Sequence, residues 1–298
     1  MTAKELIRGA YDLHVHSAPD VLPRKMDDTE MAGRIRACGM AGYAMKSHFF
    51  CTSERAEILN TVYPDVEFIG GVTLNSAVGG INPSVVEMAA RSGAKIVWFP
   101  TCDDEAERAH VFGGGPDKKL PFWARIILEM KASGIEAPTV ALLDGNGELK
   151  PEVHSVLDII AKYDLILATG HISHEETYKL VPAAAAHGVK NIVVTHVDFP
   201  STFYSIEDQK KFVAMGAVME HCFTTWQTGK CPWETTLEQI RAIGADHILL
   251  STDLGQKTNV YPDEGMLEWA EKLQAEGFTD EEIRTMMVTI PKKLLGKE

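Results

Sequence analysis

The sequence predicts an α/β fold of the (β/α)8 TIM-barrel class, and three observations carry that prediction. One local unit recurs: a helical stretch stops at Gly, two or three residues follow, and a short apolar run leads to a polar residue. Gly39 precedes GYAMKSH, Gly93 precedes KIVWFPT, Gly188 precedes NIVVTH, Gly216 precedes VMEH and Gly244 precedes HILLSTD. Glycine suits the left-handed position that closes a helix. The runs themselves are continuous and rich in Val and Ile, as strands buried on both faces are. Finally, the chain has 298 residues, a usual size for one barrel. Strands of this kind alternating with helices imply parallel βαβ units.

Taken in order, eight strands are expected near residues 10–16, 42–48, 67–75, 94–101, 164–171, 191–196, 217–221 and 247–253. Helix starts lie between them. Asn82-Pro83 offers a cap followed by Pro at the first helical position. Ser173 with Glu176 has capping-box spacing, and Ser205 with Asp208 repeats it with Asp in place of Glu. The spacing is regular except between strands four and five, where roughly 60 residues intervene against about 30 for an ordinary unit. That stretch holds a Gly-rich loop, Gly113-Gly114-Gly115-Pro116, and a predicted hairpin, TVALLDGNGELK, turning at Asp144 to Gly147. It reads as an insertion on one barrel domain spanning residues 1–298. The Gly loop lacks the GK[ST] of a phosphate loop and reads as a lid or a flexible link. Two helices and a closing PKKLLG helix are expected after the eighth strand.

Composition excludes some functions. Lys and Arg total 29 against 42 Asp and Glu, a net charge of -13. With no basic run, the chain is a poor match to nucleic acid or an anionic membrane. No stretch approaches the ~20 apolar residues of a bilayer span. The N-terminal MTAKELIRGAYDLHVH lacks the basic start and apolar core of a signal peptide. Cysteines 38, 51, 102, 222 and 231 are scattered, odd in number and without a CxxC pair, which fits reduced thiols better than disulfides or a Cys-type zinc site. A cytoplasmic protein acting on a small molecule is the expectation.

Barrel enzymes keep their chemistry at the C-terminal ends of the strands. The residues at these ends are His14 and His16, Lys46 and His48, Asn75, Thr101, His171, His196, Glu220 and His221, and Asp253. Side chains alternate along a strand, so His14 and His16 share a face. Their imidazoles can converge on one metal at ~2.0–2.1 Å. His171 and His196 approach from across the mouth, and Asp253 closes the set. Three or four imidazoles with one carboxylate suit a divalent metal, zinc first, with manganese, iron or nickel as alternatives. Asp12 lies one layer below His14 and is expected to accept from an imidazole N–H.

The segments DLHVH, ATGHIS, VVTHVD and LSTDLG, in this order on strands one, five, six and eight, resemble the amidohydrolase superfamily. The closing TIPKKLLG resembles its C-terminal helix, where Asn often precedes the Pro and Ile290 stands here. The resemblance covers nearly the whole chain. It implies a metal-dependent hydrolase in which metal-activated water attacks a C–N or C–O bond. His14, His16, His171, His196 and Asp253 match the ligand positions, with Asp253 also the catalytic base.

One departure concerns the bridging ligand. Two-metal members often place a carboxylated Lys at the end of strand four, which here reads FPTCDD. Lys46, ending strand two, is the alternative: a carboxylated metal ligand, a contact to a substrate anion, or a buried structural ammonium. One or two metals are therefore open. His48, Arg24 in the loop after HVH, and His221 are candidate substrate contacts; Glu220 and His221 point to opposite faces, and His221 is preferred for the mouth. Two rivals remain beside the hydrolase. One is a one-metal decarboxylase resembling the aminocarboxymuconate-semialdehyde decarboxylase group, the other a non-catalytic barrel that binds metal or ligand.

Overall fold

The computed structural model describes residues 1–113 and 120–297. Its strands are β1 (Tyr11–Val15), β2 (Gly42–Met45), β3 (Glu67–Ile69), β4 (Gly71–Thr73), β5 (Ile96–Trp98), β6 (Ile166–Ala168), β7 (Asn191–Val194), β8 (Ala217–Cys222) and β9 (Ile248–Ser251). The helices in the first half are α1 (Ala3–Leu6), α2 (Asp28–Cys38), α3 (Ser53–Val62), α4 (Pro83–Arg91), α5 (Glu105–Phe112) and α6 (Phe122–Ala132). Those in the second are α7 (Pro151–Lys162), α8 (His174–Ala186), α9 (Ile206–Ala214), α10 (Phe223–Gln227), α11 (Trp233–Ile243), α12 (Pro262–Ala275), α13 (Asp280–Arg284) and α14 (Ile290–Leu294).

Every strand pairing in the two sheets is parallel, in the orders β1-β2-β3 and β4-β5-β6-β7-β8-β9. The expected third strand, 67–75, is thus two short strands. The break falls at Gly70, where a Cβ would stand 2.4 Å from the Ser53 Cα, so the chain passes too close to the start of α3 to hold one straight ladder. β3 pairs with β2, and β4 continues the run against β5. At the other seam the Asp253 N–H donates to the His14 carbonyl at 2.8 Å, and the His16 N–H donates to that of Leu254 at 2.8 Å. First and last strands are therefore neighbours, as a barrel requires.

The helix signals act as predicted. Gly39, Gly93, Gly188, Gly216 and Gly244 all take positive φ. Asn82 caps α4 with Pro83 behind it, and Ser173 with Glu176 forms a reciprocal capping box on α8. Ser205 accepts from the Asp208 N–H at the start of α9.

Two apolar clusters result. Inside the barrel, Leu13, Ala44, Ile69, Ile96, Trp98, Ile166 and Leu249 pack with Ile290 and Leu294 of α14, which closes the floor. A larger shell packs strands against helices. Side chains above the floor can thus be polar without opening the core.

The insertion contributes α5 and α6. Its expected hairpin is only a turn with one antiparallel bridge, Leu143 to Leu149. The ladder stops because Asp144 Oδ1 takes the N–H groups of Asn146 and Glu148, and the Leu142 N–H turns away to Glu176 Oε1 at 2.7 Å. The lid reading of Gly114-Gly115-Pro116 lies outside the described residues. Among those described, the five cysteines are free, and no helix is long and apolar enough to cross a membrane.

Candidate metal centre

β1 delivers His14 and His16 to the mouth, and the turns after β7 and β9 deliver His196 and Asp253. Both turns are strained: His196 has φ 54° and Asp253 φ 50°, left-handed values that a non-glycine residue adopts at a cost. Gly255 explains the fit beside them, since a Cβ there would lie 1.7 Å from the His16 carbonyl oxygen. Asp12 is fully buried and ties the first strand to the last. It accepts from the Thr252 N–H at 3.0 Å, the Thr252 hydroxyl, and the main-chain N–H of His14 at 3.2 Å. This corrects the expected imidazole contact: Asp12 holds the His14 backbone, not its ring. Burial pushes its carboxyl up to about 7.

The rings are oriented from behind. His14 Nδ1 lies 3.2 Å from Glu220 Oε1, and its Nε2 lies 2.8 Å from the Lys46 ammonium and 3.4 Å from Asp253 Oδ1. A carboxylate at Nδ1 and an ammonium at Nε2 select one tautomer, Nδ1–H with the Nε2 lone pair outward. His16 Nδ1 lies 3.0 Å from the Lys46 carbonyl oxygen, and its Nε2 is 3.1 Å from the same Asp253 Oδ1. Arg24 Nη2 is 3.1 Å from His16 Nδ1 as well. The two Nδ1 contacts need opposite tautomers: the carbonyl asks for Nδ1–H, the guanidinium for a lone pair.

His196 is buried, with Nε2 3.8 Å from Asp253 Oδ2 and no hydrogen-bond partner for Nδ1. His171 packs edge-on against it with ring centroids 5.1 Å apart. Its Nδ1 lies 3.4 Å from Glu107 Oε1 without a directed hydrogen bond. Five of the predicted ligand residues, His14, His16, His171, His196 and Asp253, thus meet at one rim, and Lys46 joins them beneath.

Burial disfavours the charged form of His16, His48 and His196. Burial first, then Arg24, pushes His16 down to about 3, and burial holds His48 and His196 well below the usual histidine range. Burial likewise lowers the Lys46 ammonium. At Asp253 burial opposes ionisation, but His14, His16 and His196 outweigh it and hold the carboxyl well below the carboxylate range. Asp253 also accepts from the Thr224 hydroxyl at 3.1 Å and keeps 16% of its side chain open to the mouth.

The other candidates divide. His48 stacks on His16 at 4.9 Å and contacts the Thr101 hydroxyl at 2.9 Å, which Asn75 also reaches. Arg24 sits at the rim but is paired with Asp20, and both side chains are almost fully buried. His221 is elsewhere. The pleat of β8 turns Glu220 and Cys222 inward and His221 outward, where its Nδ1 meets Asp198 Oδ2 at 3.0 Å beside Thr236. The preference for His221 at the mouth is therefore reversed in favour of Glu220.

A family model described as Family of unknown function (DUF6282) matches residues 9–220. The chain belongs to that family. The matched segment contains HVH, Lys46, His171 and His196 and ends at Glu220. No curated protein sequence matches the chain. Among solved structures, an amidohydrolase from Pseudomonas aeruginosa superposes with TM-score 0.62 at 10% identity, covering 100% of this chain and 99% of its own. A probable dipeptidase from the same organism gives 0.63 at 13%, covering 99% and 97%. A lactonase from Listeria monocytogenes gives 0.56 at 13%, covering 100% and 97%. At such identities the likeness establishes the fold alone: this DUF6282 chain shares the barrel fold of these proteins.

Sequence reasoning missed Glu107 and undervalued Glu220. Glu220 had a visible signal, its place at the end of a strand. Glu107 had none, because it lies on α5 inside the insertion.

Proposed function

We propose that the chain is a metal-dependent hydrolase that binds a divalent ion through His14, His16, His196 and Asp253, with His171 at its edge, and cleaves a C–N or C–O bond of a small molecule. One observation carries the reading. His14, its Nδ1–H engaged by Glu220, turns its Nε2 lone pair towards Asp253 Oδ1 at 3.4 Å, and His16 Nε2 lies 3.1 Å from the same oxygen, so two imidazole nitrogens and a carboxylate oxygen converge on one point. Ligand atoms of three side chains gathered this closely can share one divalent ion. The donor set, imidazoles with one carboxylate, fits zinc and its neighbours.

When bound, the metal supplies Lewis-acid polarisation and an acidified water. Asp253 then takes the proton, because its carboxylate stays ionised and open to the mouth. Glu220 and Asp12 hold His14 by ring and by backbone, which fixes that ligand in place. Lys46 now spends a hydrogen bond on the His14 lone pair that a metal would claim. With an ion bound, Lys46 would be released to hydrogen-bond Asp253 or, if carboxylated, would offer a further ligand.

The test is metal removal. Dialysis against a chelator should lower Tm, and zinc should restore it with about one or two ions per chain by elemental analysis. Stabilisation of about 3–4 kcal/mol is expected at saturating zinc. A chain whose Tm ignores chelator and zinc alike rejects the metal centre and the hydrolase with it.

A further inference from the structure

Three cations around the mouth are already spoken for: Arg24 by Asp20, Arg55 by Asp28 and Arg108 by Asp103. Lys230 is different. It is exposed in the loop after α10, and its ammonium stands 4.4 Å above the centre of the Phe199 ring. Among the described residues no carboxylate lies within ion-pair distance of it. The Phe199 ring packs in turn on His171 at 5.6 Å and His196 at 5.3 Å between ring centroids. Lys230 therefore stands one aromatic ring away from two residues of the metal centre, on the solvent side.

Both partners are pinned by their backbones. The Phe199 N–H donates to the His196 carbonyl at 3.0 Å. The N–H groups of Lys230 and Cys231 both donate to the Thr225 carbonyl, at 2.9 and 3.2 Å. The backbones that carry the ammonium and the ring are thus fixed beside the metal centre, and the exposed ammonium over the Phe199 face has a side open to a ligand. A chain of net charge -13 repels anions at long range, so an anionic substrate needs such a local cation to enter.

We propose that Lys230 is a substrate-binding residue and that the substrate carries a carboxylate, which seats on the Lys230 ammonium above Phe199 while its scissile bond lies over Asp253. The proposal rests on the hydrolase reading. A carboxylate fits better than a phosphate, because a lone ammonium offers one point charge and the neighbouring guanidinium forks are engaged by Asp20, Asp28 and Asp103.

The experiment uses the zinc-loaded full chain and two esters, 4-nitrophenyl acetate and mono-4-nitrophenyl glutarate, which differ by a carboxylate tail. Lys230→Ala should raise KM for the glutarate ester about fivefold to tenfold and leave the acetate unchanged. Lys230→Glu should do more, and Lys230→Arg should keep most of the preference. Lys211→Glu, a charge reversal on α9 where Lys211 pairs with Glu207 and Asp208, should change neither ester. Equal effects on both esters, or none, overturn the proposal. If neither ester is turned over, the hydrolase reading has failed, and calorimetric binding of glutarate and inorganic phosphate decides about Lys230. Glutarate binding weakened about tenfold by Lys230→Ala supports it. No glutarate binding, binding indifferent to the substitution, or tighter binding of phosphate overturns it.

Discussion

The two sides of the metal centre are built differently. On the side of β1, β8 and β9, each donor has a partner behind it: Glu220 at His14 Nδ1, the Lys46 carbonyl at His16 Nδ1, the Thr224 hydroxyl at Asp253. On the side of β6 and β7, the Nδ1 atoms of His171 and His196 are buried without hydrogen bonds. Unmet polar atoms of this kind cost about 1–3 kcal/mol each. The first side is fixed by the fold, whereas the second is left for an ion to organise. Metal affinity should therefore depend more on the carboxylate behind His14 than on the one beside His171.

The largest effect is expected at the shared carboxylate. Asp253→Asn should keep the fold and lose turnover on the order of 10²–10⁴-fold, since an amide cannot take the water proton. Turnover within threefold of wild type would remove Asp253 from its role as base. The comparison of sides comes next. Glu220→Gln should weaken zinc binding about tenfold or more, in the range typical of acceptors behind metal-bound imidazoles. Glu107→Gln should cost less, because Glu107 makes no directed bond to His171. Competition titration against a zinc chelator measures both, and the reverse order would break the contrast.

The smallest effect concerns stability at the foot of the second side. Asp104 caps α5 through the N–H groups of Ala106 and Glu107, while its other oxygen is buried and unpartnered. Burial, with the neighbouring Glu176, raises its carboxyl well above the usual carboxylate range. A folded-state value raised above the unfolded one means that stability present below about pH 4 is lost as pH climbs through the raised value. Asp104→Asn keeps the cap and cannot ionise, so its Tm should gain on wild type across that window, by about 2–4 °C per kcal/mol. Parallel Tm curves for the two proteins would contradict the assignment.

Much of this was legible in the sequence. The Gly stops and apolar runs determined the order of strands and helices, because both signals are local: one residue's φ and one strand's burial. HVH placed two imidazoles on one strand, and the strand-end positions gathered His171, His196 and Asp253 at the same rim. Period-two alternation is a property of a single strand and needs no partner to be read.

What faces each ring across the barrel is another matter. Glu220 meets His14 from a strand 206 residues away in sequence, and its parity relative to His221 follows from the register of β8 against β9. The Asp12 carboxylate takes the backbone N–H groups of His14 and of Thr252, the second 240 residues away in sequence, which no count of residues shows. Glu107 reaches His171 only because the insertion folds α5 back over the mouth. The sequence alone determined which residues end the strands. Only the tertiary structure decided which groups orient them, because hydrogen-bond partners across a barrel are set by register and by how an insertion packs, and neither is written in local pattern.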